Sequence, residues 1–174
     1  MNNENWWTEI DGKEISQGDF LANCPVPIVP DSFDPTLEEV GLTIEERDVI
    51  IITQSCDLFN NKANLVALCP VYSLIEMELK IPRYTEKNAW EAVRQGRNEG
   101  LHMISSFNGP DQNKSSMVVD FRQIYSLPIA FLRNFAAKAG LRKRLNSPYL
   151  EHLAQSFARF FMRVGLPSSI KPFK

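Results

Sequence analysis

The β-branched run Val49-Ile50-Ile51-Ile52-Thr53 is continuous rather than alternating, the pattern of a fully buried strand. A second apolar run over 64–71 predicts another. The polar stretch 54–62 between them reads as the turn of a hairpin, longer than a tight two-residue loop. Upstream, residues 1–14 form a polar lead-in carrying Trp6 and Trp7, and 15–21 predict a short strand with a Gly18-Asp19 turn inside it. Pro25, Pro27, Pro30 and Pro35 deny a central strand and predict an irregular loop over 24–35. In the acidic segment 36–47, Thr43 and Glu46 have capping-box spacing, which predicts one helical turn.

Downstream, 73–81 reads as extended or mixed. Thr85 is placed to cap a helix over 86–98, with Trp90 and Val93 inward and Arg94 and Arg97 outward. Residues 101–107 predict a strand, Gly109-Pro110-Asp111 a turn, and 117–127 a strand with Asp120 and Arg122 embedded in it. The ending is helical. One helix over 128–139 stops at Gly140. Ser147 and Pro148 open a second, running to Val164 and stopping at Gly165, with Pro167 beyond. Its apolar stripe is Leu150, Leu153, Phe157, Phe160, Phe161 and Val164; its polar face carries His152, Ser156, Arg159 and Arg163.

This order predicts a mainly β fold with α. A small barrel spans 1–130, with an inserted helix near 86–98. A basic helical C-terminal extension, 131–174, packs on it. At 174 residues the chain is long enough to bury a core without staples. Hydrophobic residues at 44% and charged residues at 23% exclude a disordered, collagen-like or disulfide-scaffold chain. No apolar run reaches the roughly 18 residues of a membrane span. The N-terminus lacks a basic segment followed by an apolar one, so no membrane attachment and no secretory leader are expected. Cys24, Cys56 and Cys69 are few and odd in number, which fits reduced thiols and a cytoplasmic location.

Charge divides the chain. Residues 1–131 hold 10 Lys/Arg and 20 Asp/Glu, a net of -10; residues 132–174 hold 9 Lys/Arg and one acid, Glu151, a net of +8. Either the basic part packs against the acidic body or an acidic partner, or it binds a polyanion such as nucleic acid. The candidate polyanion surface is Arg142-Lys143-Arg144 with the Arg159/Arg163 helix face; Tyr149 and Phe161 lie near enough in sequence to stack bases. The competing reading is a solvated helix face with core aromatics. Trp6 and Trp7 either anchor the N-terminal segment to the barrel or mark a partner site.

The most distinctive polar cluster is Gln54-Ser55-Cys56-Asp57, directly after a buried strand. Cys56 with His102 or His152 would make a Cys–His hydrolase pair, but no local signature supports it and free cysteines are usually small buried hydrophobes. Asp57 reads first as a turn former. No CxxC or HxxxH spacing exists, so no metal site is expected. The eight glycines follow no phosphate-loop or dinucleotide pattern, so no cofactor is expected.

Several motifs, in order, resemble the MazF/PemK (Kid-like) toxin family of SH3-like barrels. Gln17-Gly18-Asp19-Phe20 is similar to that family's opening strand with its Gly-Asp step. Arg47-Asp48-Val49-Ile50-Ile51-Ile52-Thr53-Gln54 is similar to its Arg-Pro-Val-apolar strand. Leu65-Val66-Ala67-Leu68-Cys69-Pro70-Val71-Tyr72-Ser73 is similar to the next strand, ending in Pro-x-Thr-Ser, and 116–124 to its Ser-x-Val-apolar-x-Gln-Ile-Arg strand. The match covers about 15–130.

The resemblance implies a bacterial toxin–antitoxin or defence protein, a homodimer, and a metal-independent endoribonuclease acting on single-stranded RNA. It places Arg47 at one catalytic position and Tyr72 or Ser73 where the family carries threonine. Such cleavage needs a base for the 2′-hydroxyl, a cation for the phosphorane and an acid for the leaving oxygen. Arg47 fits the cation; Asp57, Asp120 and His102 are the acid and base candidates. The replaced threonine, the proline-rich linker and the additions at 86–98 and after 130 point equally to an alternative. In that reading the protein is a non-catalytic barrel that binds nucleic acid or a cognate partner, antitoxin-like or a defence-system subunit.

Overall fold

Arg47, Val49 and Ile51 alternate with Asp48, Ile50 and Ile52 along the strand that organises the molecule. The computed structural model describes residues 5–34, 36, 42–107 and 116–162. Its strands are β1 (Trp7–Ile10), β2 (Asp19–Ile28), β3 (Thr43–Ile51), β4 (Leu65–Ser73), β5 (Leu101–Ile104), β6 (Met117–Asp120), β7 (Tyr125–Pro128) and β8 (Arg142–Leu145). Its α-helices are α1 (Ser55–Phe59), α2 (Leu74–Lys80), α3 (Lys87–Arg94), α4 (Ile129–Ala139) and α5 (Tyr149–Phe161), with a 3₁₀ turn at Pro82–Thr85. The strands form one antiparallel sheet in the order β1-β8-β2-β3-β4-β6-β5, with β7 also on β4. Among the described residues no pairing joins β1 to β5.

β3 explains the continuous apolar run. Val49 and Ile51 enter one core with Leu58, Val66, Leu132 and Ala136, under α1 and α4. Ile50 and Ile52 enter another with Val71, Val119, Phe121 and Leu153, under α5. A strand covered on both faces has no polar side to alternate. A third cluster, with Tyr72, Met77, Tyr84, Val93, Leu101 and Val118, sits under α2 and α3. The expected β3–β4 pairing is present: Val49 opposes Pro70, Ile50 opposes Cys69 and Ile51 opposes Leu68. Trp6 stacks on Tyr149 at 3.6 Å, and the Trp7 indole N–H donates to the Ser105 carbonyl at 3.0 Å, so both tryptophans anchor the N-terminal segment.

Several expectations are corrected. The prolines do not break β2: Pro25 and Pro27 pair with Glu46 and Ile44 of β3. Two residues apart, both lack an N–H on the same edge, and beyond Cys24 no strand other than β3 pairs with β2 among the described residues. Thr43 and Glu46 lie in β3, where this pairing overrides their capping-box spacing. The expected turn at 54–62 contains α1. Segment 73–81 is α2, opened by a full capping box in which Ser73 and Glu76 bond each other's backbone N–H. Thr85 closes the 3₁₀ turn, and Glu86 precedes α3.

The long strand over 117–127 is two strands. β4 faces β7 along 65–68 and β6 along 71–73. Between them Asp120 turns the chain, its carboxylate accepting from the Arg122 N–H at 3.0 Å. The stretch expected to be a helical extension contains β8, which lies between β1 and β2, so the sheet crosses position 130. α4 and α5 stand as expected up to Phe161. The Gly109-Pro110-Asp111 turn and the helix end at Val164 and Gly165 lie outside the described residues.

Candidate functional site

The β3–β4 register, carried two residues past Val49 and Pro70, sets Arg47 beside Tyr72, one of the two residues, with Ser73, that the resemblance offered for the second catalytic position. A cleft of about 140 Å³ opens there, lined by Asn23, Glu46, Arg47, Asp48, Val71, Tyr72 and Glu76. Arg47 is half-buried and ion-paired with Glu45 two residues back on its own strand. Asn23 adopts a left-handed conformation (φ 50°) at the irregularity between Leu21 and Cys24, and its N–H donates to Asp48 Oδ1 at 2.9 Å. Asn tolerates that backbone region better than most residues.

Tyr72 is buried, and its hydroxyl is held from two sides. It accepts from Lys80 Nζ at 2.8 Å and donates to Gln123 Oε1 at 2.9 Å. The same ammonium lies 4.5 Å from the ring centroid. α2 brings Lys80 back over the end of β4, so the capping box at Ser73 is what positions this cation. Burial raises the Tyr72 pKa, with Arg47 the largest opposing influence. Ser73 itself is committed to that cap, accepting from the Glu76 N–H at 3.2 Å.

The acid and base candidates do not gather at this cleft. Asp57 sits in α1, past the other end of β3 from Arg47. Asp120 is fully enclosed, and the Arg122 guanidinium grips both its oxygens at 2.7 Å. His102 lies between Leu101 and Met103, which both join the cluster with Tyr72, so its side chain takes the opposite face of the sheet. There its ring is 6.1 Å from Phe121, and burial, aided by the neighbouring His152, lowers its pKa to about 4.

Gln54, Ser55 and Cys56 open α1. Ser55 Oγ accepts from the Gln17 N–H at 3.2 Å, tying α1 to the loop before β2. Cys56 is exposed, its sulfur 3.6 Å from Gln54 Oε1. Cys24 and Cys69 are buried, and burial pushes their thiols up to about 11 and about 12, the condition of inert core residues. Among the described residues no group of three metal-ligating side chains converges.

The basic residues are largely used inside the molecule. Arg142 is 5% exposed and donates to the carbonyls of Gly12, Glu14, Ala136 and Gly140 at 2.7–3.3 Å. Lys143 bonds Glu9 at 2.7 Å, and Arg144 grips Asp19. Arg159 is exposed beside His102 and Ser156; Arg163 lies outside the described residues. Tyr149 faces Trp6 rather than solvent.

Sequence reading missed Lys80, Gln123, Asn23 and the carboxylates of Glu46, Asp48 and Glu76. Ser73-x-x-Glu76 was the available signal for α2, and with it for Lys80. Gln123 depends on the turn at Asp120, which no periodicity reveals. No known family's model matches the chain, and no curated protein matches it.

Proposed function

We propose that the protein is a MazF/PemK-like SH3-type barrel module of a bacterial toxin–antitoxin or defence system, acting in the cytoplasm. It binds a cognate protein partner through the Arg47–Tyr72 cleft. The observation that carries this reading is the charge of the cleft. Glu46, Asp48 and Glu76 line it, and Arg47 is already engaged by Glu45. A phosphodiester entering there meets three carboxylates, whereas a lysine or arginine of a partner is stabilised by them and steered by the acidic body. The adjacency of β2, β3, β4 and β6, the strands that carry the family-like motifs, supports the barrel. The test is fluorescence anisotropy with a labelled arginine-rich decapeptide. Saturable binding that weakens in Glu46→Lys supports the reading; equal binding by both proteins contradicts it.

One observation favours a second reading, a metal-independent endoribonuclease: Arg47 and Tyr72 stand together, as the resemblance implies for catalysis. Arg47 would neutralise the phosphorane, a cleft carboxylate such as Glu46 would take the 2′-hydroxyl proton as that oxygen bonds phosphorus, and the Tyr72 hydroxyl would protonate the leaving 5′-oxygen. A long unstructured RNA incubated with EDTA separates the readings. Fragments from the wild type that disappear in Arg47→Ala establish the nuclease; intact RNA in both lanes leaves the binding module.

A further inference from the structure

The helical insert carries a second cleft, of about 410 Å³, between the 3₁₀ turn and α3. Its floor is made of small side chains, Ala89 and Ala92, one turn apart on α3. Tyr84, the cations Arg83 and Arg97, Asn98 and the acid Glu99 complete its lining.

The wall is rigid. Tyr84 is 1% exposed and stacks on Trp90, ring centroids 5.0 Å apart. Its hydroxyl accepts from Arg83 Nη2 and from Asn98 Nδ2, each at 2.9 Å. The Arg83 guanidinium also lies 5.0 Å from the Tyr84 ring centroid. A guanidinium has five N–H donors in a planar fork, and the bond from Nη2 to Tyr84 uses one of them. Neither Arg83 nor Arg97 is ion-paired among the described residues. Arg94, at the end of α3, is by contrast held by Glu91 at 2.6 Å.

We propose that this cleft binds a phosphate group, carried by a small phosphorylated ligand or by the backbone of a nucleic acid. Two guanidinium groups across a neutral alanine floor match the planar, bidentate recognition of a phosphate. Glu99 is the one carboxylate among the cleft's lining residues, against two guanidinium groups, and the Arg97 charge also reaches Glu91. Of the anion surface expected from sequence, Arg142, Lys143 and Arg144 have partners within the fold, Arg159 is exposed, and Arg163 lies outside the described residues. The proposal stands apart from the reading of the Arg47 cleft, whose lining shares no residue with it.

The test is calorimetric titration of the full chain with inorganic phosphate, adenosine monophosphate and a ten-nucleotide oligouridine. Arg97→Ala removes a side chain without a hydrogen-bond partner among the described residues and keeps the fold. Arg83→Ala/Arg97→Ala removes both cations, and Arg94→Ala is the control. Saturable binding of at least one probe is expected. It should weaken about tenfold in Arg97→Ala, weaken further in the double variant and stay unchanged in Arg94→Ala. Binding of phosphate and the monophosphate identifies a free phosphorylated ligand; binding of oligouridine alone identifies a phosphodiester. Absence of saturable binding by all three probes overturns the proposal. So does binding that survives the double variant, or that falls equally in Arg94→Ala.

Discussion

Asp19 and Arg144 are 125 residues apart in sequence and directly opposed across β2 and β8, where the guanidinium of Arg144 takes both oxygens of the fully buried carboxylate. The Ser16 N–H also donates to that carboxylate at 3.1 Å. This pair joins a strand from the start of the chain to one from its basic end. The charge asymmetry of the sequence is therefore partly resolved inside the sheet.

Removing Arg144 leaves a buried charge short of its main partner. Arg144→Ala is expected to cost about 3 kcal/mol, the low end of the range for breaking a buried pair, because the arginine keeps contact with water. Its neighbour Lys143 pairs with the exposed Glu9, so Lys143→Ala should leave the denaturation midpoint unchanged. Denaturant unfolding of the two variants checks this. Equal losses would mean that the run acts through its total charge rather than through one contact.

Ser73 predicts a smaller, local effect. Ser73→Ala removes one half of the α2 capping box and should cost about 1 kcal/mol, with Ser73→Thr largely restoring it. Because α2 carries Lys80, the same variant should also loosen the bond to Tyr72. The tyrosine ring signals in NMR report that directly.

His102 sets a pH dependence. Its pKa falls from 6.5 to about 4 in the folded protein, chiefly by burial. Between those values the unfolded chain binds a proton that the folded chain refuses. The stabilisation is fully present above about pH 6.5 and is lost as pH falls toward 4, on the order of 3 kcal/mol in all. His102→Gln should flatten that part of the stability profile. An imidazole signal of His102 that titrates near 6.5 in the folded protein would contradict the assignment.

How much was legible in sequence follows from which forces were local. The β3 run and the pairing with β4 were legible because burial on both faces leaves a composition signature. The resemblance offered Arg47 with Tyr72 or Ser73, and the β3–β4 pairing is what brings Arg47 and Tyr72 to one cleft. The strand over the prolines of β2 was not legible, because proline is excluded from strands paired on both sides and the 24–28 part of β2 is paired with β3 alone among the described residues. β8 was hidden because Arg142, Lys143 and Arg144 look like a solvated run, and each finds its partner from the first nineteen residues or the end of α4. His102 and Asp120 were legible as residues but not as places: period-two alternation puts His102 behind the sheet, and Arg122 closes over Asp120.

Anisotropy of a labelled arginine-rich decapeptide, read in wild type and in Glu46→Lys, decides what the Arg47 cleft does. Glu46 is exposed on β3 and lines the cleft, so reversing its charge changes the field with little effect on packing. The expected result is saturable, salt-sensitive binding by the wild type that falls about tenfold or more in Glu46→Lys. Peptide binding that is absent, or the same in both proteins, would contradict the reading of this cleft as a seat for a basic partner.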